Sequence, residues 1–475
     1  MGRYLYSIKK ESVMSLEKKR PKTSGKYEID MCNGPLAGKL LLFAIPLMLS
    51  SILQLLFNAA DVIVVGKFAG SESLAAVGST SALINLLTNL FVGISVGVNV
   101  TIAHYYGAGK EKEINETVHT SILVSMVAGI FLTVFGITFA ETFLRWMGSP
   151  DDVIGLASVY LRIYFGGMVA VLLYNFGSAI LRAVGDTRRP LLYLTFAGVI
   201  NVLFNLLFVI VFRMGVAGVG LATVISQFVS AILVIRCLML EKGHLQLRLK
   251  ELHIYPDKLL SIIKIGIPAG VQGTIFSLSN VVIQSAINSF ASIVMAGSAA
   301  AANIEGFVYM SMNAFHQTAL TFTGQNYGAG KLKRVDRVAG LSLLMVTITG
   351  LLFGNLVVFF GNPLLHLYSN DEAVVAAGLV RLAYICTPYA LCGIMDVLVG
   401  ILRGLNCAIM PVIVSLIGAC GLRLVWIATV FHRYPSPQML YISYPITWTI
   451  TLLVHCVCLF FVRRSLLKTF EKEPA

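Results

Sequence analysis

Three carboxylates stand deep inside long apolar runs: Asp61, Glu305 and Asp396. A carboxylate kept from water is stable if it holds a proton, holds a cation, or pairs with a basic side chain. The first two outcomes make it an ion-binding group whose charge changes with occupancy. Asp61 closes the string Asn58-Ala59-Ala60-Asp61, and Gln54 lies one turn before Asn58. Positions 54, 58 and 61 share one helical face, so that face can hydrate a cavity and hold a carboxylate. Asp396 lies seven residues before Arg403, and Glu305 follows the small-residue run 299–303. For either acid the alternative is a static ion pair with Arg381 or Arg423, which also stand inside apolar runs.

Amides accompany the acids. Asn201 and Asn205 are four apart and share a face, and Gln272, Asn280 and Gln284 are read as a second stripe. These two stripes are expected to line the cavity into which Asp61 projects. Pro46 precedes Asp61 by 15 residues (61 − 46) in the same run. A proline there removes a helix hydrogen bond, so it is either a hinge or a static kink.

The elements that position these residues are membrane spans. Of the 475 residues, 57% are hydrophobic and 12% charged, and the mean hydropathy is +0.82. No water-soluble fold could cover that much apolar surface. Since about 20 apolar residues cross the hydrocarbon core, twelve spans are predicted: 40–66, 73–102, 117–140, 153–180, 190–212, 215–236, 262–288, 293–324, 338–362, 373–401, 411–431 and 438–462. The pairs Gly93/Gly97 and Gly266/Gly270 form GxxxG patterns that suit close helix packing within the bundle.

The chain is two copies of one unit. Tyr106-Gly107-Ala108-Gly109-Lys110 returns as Tyr327-Gly328-Ala329-Gly330-Lys331, an offset of 221 (327 − 106), and Ile45-Pro46 maps onto Ile267-Pro268 at 222 (268 − 46). The repeated strings are read as tight turns that set how adjacent spans pack. They lack Walker spacing and a preceding strand, so no phosphate site is assigned to them. Across the repeat Asn58 faces Asn280, Asp61 faces Ile283, and Asp396 faces Asn175. Each half therefore keeps a different acid.

Lysines and arginines give the orientation. One set of loops and tails holds 29 of the 36, the opposite set four (Lys67, Arg145, Arg213 and Arg433), and three lie within spans. Both termini are expected in the cytoplasm, and six spans per half give the two copies one orientation, related by an axis along the membrane normal. The net charge of +13 follows from those loops and does not indicate nucleic-acid binding. The divisions expected are a disordered basic tail 1–35, a first lobe 36–240, a linker 241–257, a second lobe 258–465 and a tail 466–475. The eight cysteines form no CxxC and the histidines no HExxH, so neither a zinc site nor an enzyme centre is indicated.

Taken together, Gly34-Pro35-Leu36 leading to Ile45-Pro46, Asn58-x-x-Asp61-x-x-x-x-Gly66, Leu74-Ala75-Ala76-Val77-Gly78, Gly324-Gln325-Asn326-Tyr327-Gly328-Ala329 and Asp396 through Leu402-Arg403-Gly404 resemble the multidrug and toxic compound extrusion (MATE) family over residues 34–465. The resemblance implies an all-α polytopic membrane protein with two six-helix lobes around a V-shaped cavity. It also implies export of drugs against inward proton or sodium flow. By the same resemblance, Asp61, Pro46 and Asn201 match the first-span aspartate, the bending proline and a fifth-span asparagine of the DinF-like branch. Asn205 stands where that branch commonly has a second aspartate. Asp396 matches the tenth-span aspartate of the NorM-like branch, whose seventh-span acid is replaced here by Gln272 and Gln284.

The expectation is an antiporter in the cell (inner) membrane, not an enzyme. It exports amphipathic, cationic drugs or metabolites in exchange for H+ or Na+, bound at Asp61 or at Glu305 with Asp396. It is expected to act as a monomer without other cofactor or nucleic acid. The rival reading is a lipid-linked precursor flippase of the same wider superfamily; twelve spans and three buried acids argue against it.

Overall fold

The computed structural model describes residues 27–147 and 151–470. Among these every regular element is helical. That is what lipid demands, because a helix satisfies its backbone groups within itself. The spans are α1 (Leu36–Phe68), α2 (Ser71–Gly107), α3 (Glu111–Trp146), α4a and α4b (Asp151–Gly166 and Met168–Ala183), α5 (Arg188–Asn205, continued as a π-helix over Leu206–Val211) and α6 (Gly215–Leu240). The second half repeats them as α7 (Pro256–Asn288), α8 (Ser292–Gly328), α9 (Leu332–Phe359), α10a and α10b (Glu372–Cys386 and Ala390–Gly404), α11 (Ile409–Phe431) and α12 (Pro437–Tyr441 with Ser443–Phe470). Among the described residues ten helices are long and apolar enough to cross a membrane, and twelve spans result when each bent pair is counted as one. Apolar side chains on the outer faces, such as Val127, Ile130, Phe131 and Val134 of α3, are more than half exposed. In water such a surface would drive aggregation, whereas in a bilayer it meets lipid.

Two spans that hydropathy treats as unbroken are bent. The α4 halves meet at 46° and the α10 halves at 44°. The breaks fall at Gly167 and Pro388, equivalent positions at the 221 offset (388 − 167). Pro388 cannot donate a helix hydrogen bond, and a Cβ at Gly167 would crowd the Val224 side chain at 2.9 Å.

The lobes meet at the end that carries the basic loops. There α2 runs against α7 with almost no side chain between them: a Cβ at Gly93 would overlap the backbone of Gly270, and one at Gly97 would overlap Ile262 and Gly266. The GxxxG pairs thus pack inside the molecule, one from each lobe. The two repeated strings also find one another, with Gly107 against the carbonyl of Gln325 and Gly328 against the carbonyl of His104. Hydrogen bonds follow the same pseudo-twofold. His104 Nε2 donates to Gly404 O (2.7 Å) and Gln325 Nε2 donates to Ala183 O (2.7 Å), and both pairs are related by the 221 offset. Thr321 Oγ1 donates to Asn99 Oδ1 (3.0 Å), and at mid-depth Asn89 Nδ2 donates to Ser277 Oγ (3.0 Å). Beyond Ser277, α7 exposes Asn280, Val281, Val282 and Gln284.

Helix α1 belongs to both lobes. Leu36, Leu40, Phe43 and Leu47 pack with Ala314, Phe322 and Val338 of α8 and α9, whereas Val64 and Val65 join the core of the first lobe. Pro46 lies at this changeover, inside one continuous helix.

Residues 27–35 depart from the disordered tail expected of 1–35; residues 1–26 lie outside the described residues. Met31 and Cys32 are buried, and the segment straps the two lobes together. Glu28 accepts from Tyr106 OH in the first lobe (3.0 Å). The carbonyl of Met31 accepts from Asn326 Nδ2 (3.2 Å) and Arg334 Nε (3.1 Å), and that of Cys32 from Lys331 Nζ (2.8 Å), all in the second lobe. Against the effect of burial, hydrogen bonds from Asn33 and Cys32 and the Lys39 ammonium hold the Asp30 carboxyl below its ordinary value. The segment is held chiefly through its backbone carbonyls, which accept from Asn326, Lys331 and Arg334. The linker likewise packs on α3: Leu245 and Leu247 are buried, and Arg248 N donates to His119 Nε2 (3.1 Å). At the other end α12 runs past 465 to Phe470.

A leucine at Gly97 must push α2 and α7 apart. Overpacking of this kind costs about 1–3 kcal/mol, which corresponds to roughly fivefold to a hundredfold in opening equilibrium. Hydrogen exchange over 99–109 and 321–329 is expected to speed up by that order in Gly97→Leu. Exchange as slow as in the wild type would show that the seam does not hold the lobes.

Candidate functional site

Asp61 points into the first lobe. It shares a buried helix face with Val64 and Val65, and α5 comes close because Gly198 leaves room for the Phe57 ring. The carboxylate therefore meets α5 and α6. Asn205 Nδ2 donates to Asp61 Oδ1, and Thr223 Oγ1 donates to Oδ2 (3.3 Å). Asn205 Nδ2 also donates to Asn201 Oδ1 (3.2 Å), and Asn201 Nδ2 to Thr223 Oγ1 (3.4 Å). Tyr160 and Tyr164 of α4a lie within electrostatic reach. The amide oxygen of Asn205 is buried without a partner. Directly after Asn205 the helix passes into its π-helical turn, a local form often found where a side chain must be re-aimed at a functional site.

This arrangement differs from the cavity face read from sequence. Asp61 is 9% exposed and is enclosed by Asn201 and Asn205, which are its partners and not the lining of an open space. Gln54 and Asn58 are exposed and lie outside the cluster.

The other two acids have basic neighbours. Arg381 grips Glu305 with both arms of its guanidinium, Nε to Oε1 (2.7 Å) and Nη2 to Oε2 (2.9 Å), while Nη1 donates to Ser298 Oγ (2.7 Å). All of this is buried. The ion-pair alternative thus describes Glu305, and Arg381 supplies the positive charge that a bound cation would bring. Asp396 takes a hydrogen bond from Tyr309 and faces Arg403, and its own carbonyl accepts from His316 Nδ1 (2.6 Å). Glu305 and Asp396 engage different partners, contrary to the joint site expected from sequence.

The amide stripe of α7 divides. Gln272 is buried and accepts from Arg403 Nη2 (2.7 Å), whereas Asn280 and Gln284 are exposed. A helix turns 100° per residue, so eight and twelve residues carry the side chain about 80° and 120° away from Gln272. Asn175 donates to the carbonyl of Val171 (2.8 Å) in its own helix. Sequence reading missed Thr223, which carries no signal among many span threonines, and the seam pair His104 and Gln325. The duplicated strings start two residues after each of them and do not show that the copies touch.

Twelve spans in two like-oriented copies, with buried polar clusters inside each, define a polytopic membrane transporter. The family model MatE matches residues 46–207 and again 268–429, starting at Pro46 and at its repeat partner Pro268, and the chain belongs to this MATE family of transporters. It is 28% identical over 394 residues to the Bacillus subtilis protein named "Probable multidrug resistance protein YpnP", covering 83% of this chain and 88% of that one. It is 23% identical over 395 residues to the Thermotoga maritima protein named "Probable multidrug resistance protein NorM", covering 81% and 84%. Its fold is similar to a solved structure described as "Outward-facing conformation of a multidrug resistance MATE family transporter of the MOP superfamily", with a TM-score of 0.87 at 20% identity over 94% of this chain and all of that one.

The geometry separates Glu305 from Asp61 by a stability measurement. Arg381→Ala leaves a buried unpaired carboxylate and is expected to destabilise the protein by about 3–5 kcal/mol, read as a lowered melting temperature in detergent. Removing both partners in Glu305→Ala with Arg381→Ala should recover part of that loss. Equal melting of Arg381→Ala and wild type would show the pair to be dispensable for the fold.

Proposed function

We propose that this chain is an antiporter of the cell (inner) membrane that exports amphipathic organic cations, drugs among them, in exchange for protons taken up at Asp61. One observation carries the choice of residue. Asp61 is a buried carboxylate that no basic side chain faces among the described residues, while Glu305 has Arg381 and Asp396 has Arg403. An unneutralised buried acid is poised to bind a cation. The neighbours favour a proton over Na+. Both carboxylate oxygens already accept from an N–H or an O–H, so the donors would have to turn away before a metal ion could enter. The unpartnered oxygen of Asn205 supplies an acceptor for the acid's own O–H once its amide turns over. Asparagine, able to donate or accept, suits both states of Asp61 where a second aspartate would not.

By the positive-inside rule the basic loops face the cytoplasm, and so do both termini. The glycine seam then closes the cytoplasmic side, and the Asp61 half opens outward. Substrates are small molecules, as the relatives' names support. Rocking of the lobes about the seam gives alternating access, and Pro46, where α1 changes lobes, is the hinge.

The test is efflux from proteoliposomes under a pH gradient or a Na+ gradient imposed separately, with the ethyl ester of rhodamine B as the cationic probe. The pH gradient is expected to drive efflux, and Asp61→Asn to reduce it to the level of empty liposomes. Efflux under the Na+ gradient alone would reassign the ion, efflux that survives Asp61→Asn would remove this residue from coupling, and no transport under either gradient would sink the antiport reading.

A further inference from the structure

The second lobe buries three arginines within its spans and has a carboxylate for two of them. Arg381 holds Glu305, and Arg403 faces Asp396. Arg423 of α11 is 4% exposed, and no carboxylate pairs with it among the described residues. Its guanidinium lies 3.9 Å from the centroid of the Tyr444 ring, Nη2 donates to Thr447 Oγ1 at a long 3.3 Å, and Nε is buried with no acceptor. A ring face and a hydroxyl are weak compensation for a full charge in a span. The guanidinium keeps in reserve the planar donor geometry that matches an oxyanion.

Its place in the fold is telling. At the 221 offset Asn201, Asn205 and Thr223 correspond to Leu422, Trp426 and Tyr444. Ile283 stands where the first lobe has Asp61. Tyr444 therefore stands where the first lobe has Thr223, and Arg423, whose own counterpart is Val202, lies one residue along from the counterpart of Asn201, beside the place that the ion site holds in the first lobe. Here too the helix leaves α-geometry: π-helical turns Leu416–Gly421 and Ile427–Phe431 flank the arginine on both sides. Among the described residues one lobe thus has an acid without a base in this region, and the other has a base without an acid. Beside the guanidinium stands an aromatic wall, with Tyr444 edge-on to Trp448 (5.5 Å) and Trp448 stacked on Tyr389 (5.4 Å). The α7 strip that covers α11 here carries the exposed amides Asn280 and Gln284 one position after Ser279 and Ile283, which are buried.

We propose that Arg423 forms an oxyanion subsite, which takes the carboxylate of an aromatic solute against the Tyr444–Trp448 wall. This rests on the transporter reading and names its substrate class: aromatic amphiphiles that carry an anionic group together with their cation. The carboxylate supplies the missing acceptor for Nε, and the solute's ring system packs against Tyr444, the half-buried edge of that wall.

Rhodamine B carries a free carboxylate beside its cationic ring system, and its ethyl ester keeps cation and ring but lacks the anion. Binding of both dyes to the purified full chain in detergent is read by fluorescence anisotropy. Loss of a charge-assisted hydrogen bond predicts that Arg423→Gln lowers the affinity ratio of rhodamine B to its ester by roughly tenfold, with Arg423→Lys between. In wild-type protein, benzoate should displace rhodamine B at concentrations that leave its ester bound, a result that needs no variant to fold. A ratio unchanged by Arg423→Gln, or benzoate displacing both dyes equally or neither, overturns the subsite. Gradient-driven efflux of the ester tests the antiport reading separately, because the ester has no anion to offer Arg423.

Discussion

The rest of the structure depends on how closely two backbones approach at the seam between the lobes. Inside a bilayer, helices gain little from hiding apolar surface from one another, because lipid is as apolar as leucine. Association comes from van der Waals packing where small residues let backbones touch. Gly93, Gly97, Gly266 and Gly270 supply that contact between α2 and α7, and Gly107 and Gly328 supply it between α2 and α8. Once those backbones touch, the pseudo-twofold axis is set, and His104 and Gln325 fall into reciprocal hydrogen bonds across it. The strap of residues 28–33 and the first half of α1 then lie over the same junction. Past this junction α1 exposes Gln54 and Asn58, and α7 exposes Asn280 and Gln284.

Duplication gave both lobes one frame, and buried charge separates them. An uncompensated charge in a low-dielectric interior is costly, so each lobe had to deal with its own. The second lobe neutralises Glu305 with a bidentate arginine, a fixed arrangement worth keeping for position more than for energy. The first lobe gives Asp61 only neutral donors. Neutral donors stabilise a carboxylate without cancelling its charge, which leaves it responsive to an arriving cation. On the proposed reading, the same architecture holds one charge that is locked, at Glu305, and one that is free to change, at Asp61.

How much of this was legible follows from what a sequence can encode locally. The spans, the duplication and Asp61 were readable, because an acid within an apolar run is rare and costly enough to be a signal by itself. The bends of α4 and α10 were not, because the runs stay apolar through Gly167 and Pro388 and hydropathy has no term for direction. Gln272 was placed with Asn280 and Gln284 because their spacing looks periodic, yet the 100° step separates their faces, and Arg403, 131 positions away, decides where Gln272 goes. The segment 27–35 is polar, and polarity without partners reads as a tail; the partners Asn326, Lys331 and Arg334 are some 300 residues downstream. The duplicated strings showed that two turns are alike, but likeness does not imply contact.

Helix α1 connects these features mechanically. Its first half is packed on α8 and α9 of the second lobe, and its second half carries Asp61 into the core of the first. Pro46 sits between, unable to donate to the carbonyl of Leu42, so the helix is weakest where it changes lobes. On the proposed reading, protonation turns one oxygen of Asp61 into a donor, so one neighbour must accept where it donated, while the other oxygen goes on accepting from a neighbour that no longer faces a charge. A hydrogen bond to a charged group contributes about 1.5–3 kcal/mol and a neutral one about 0.5–1.5 kcal/mol, so the two bonds together change by about 2–3 kcal/mol when the proton arrives. Shifting a two-state equilibrium from about one per cent to about ninety-nine takes about 5.5 kcal/mol. One buried carboxylate with two donors therefore supplies about half of that bias, provided that the helix bearing it is anchored in both lobes. The packing of α1 meets that condition.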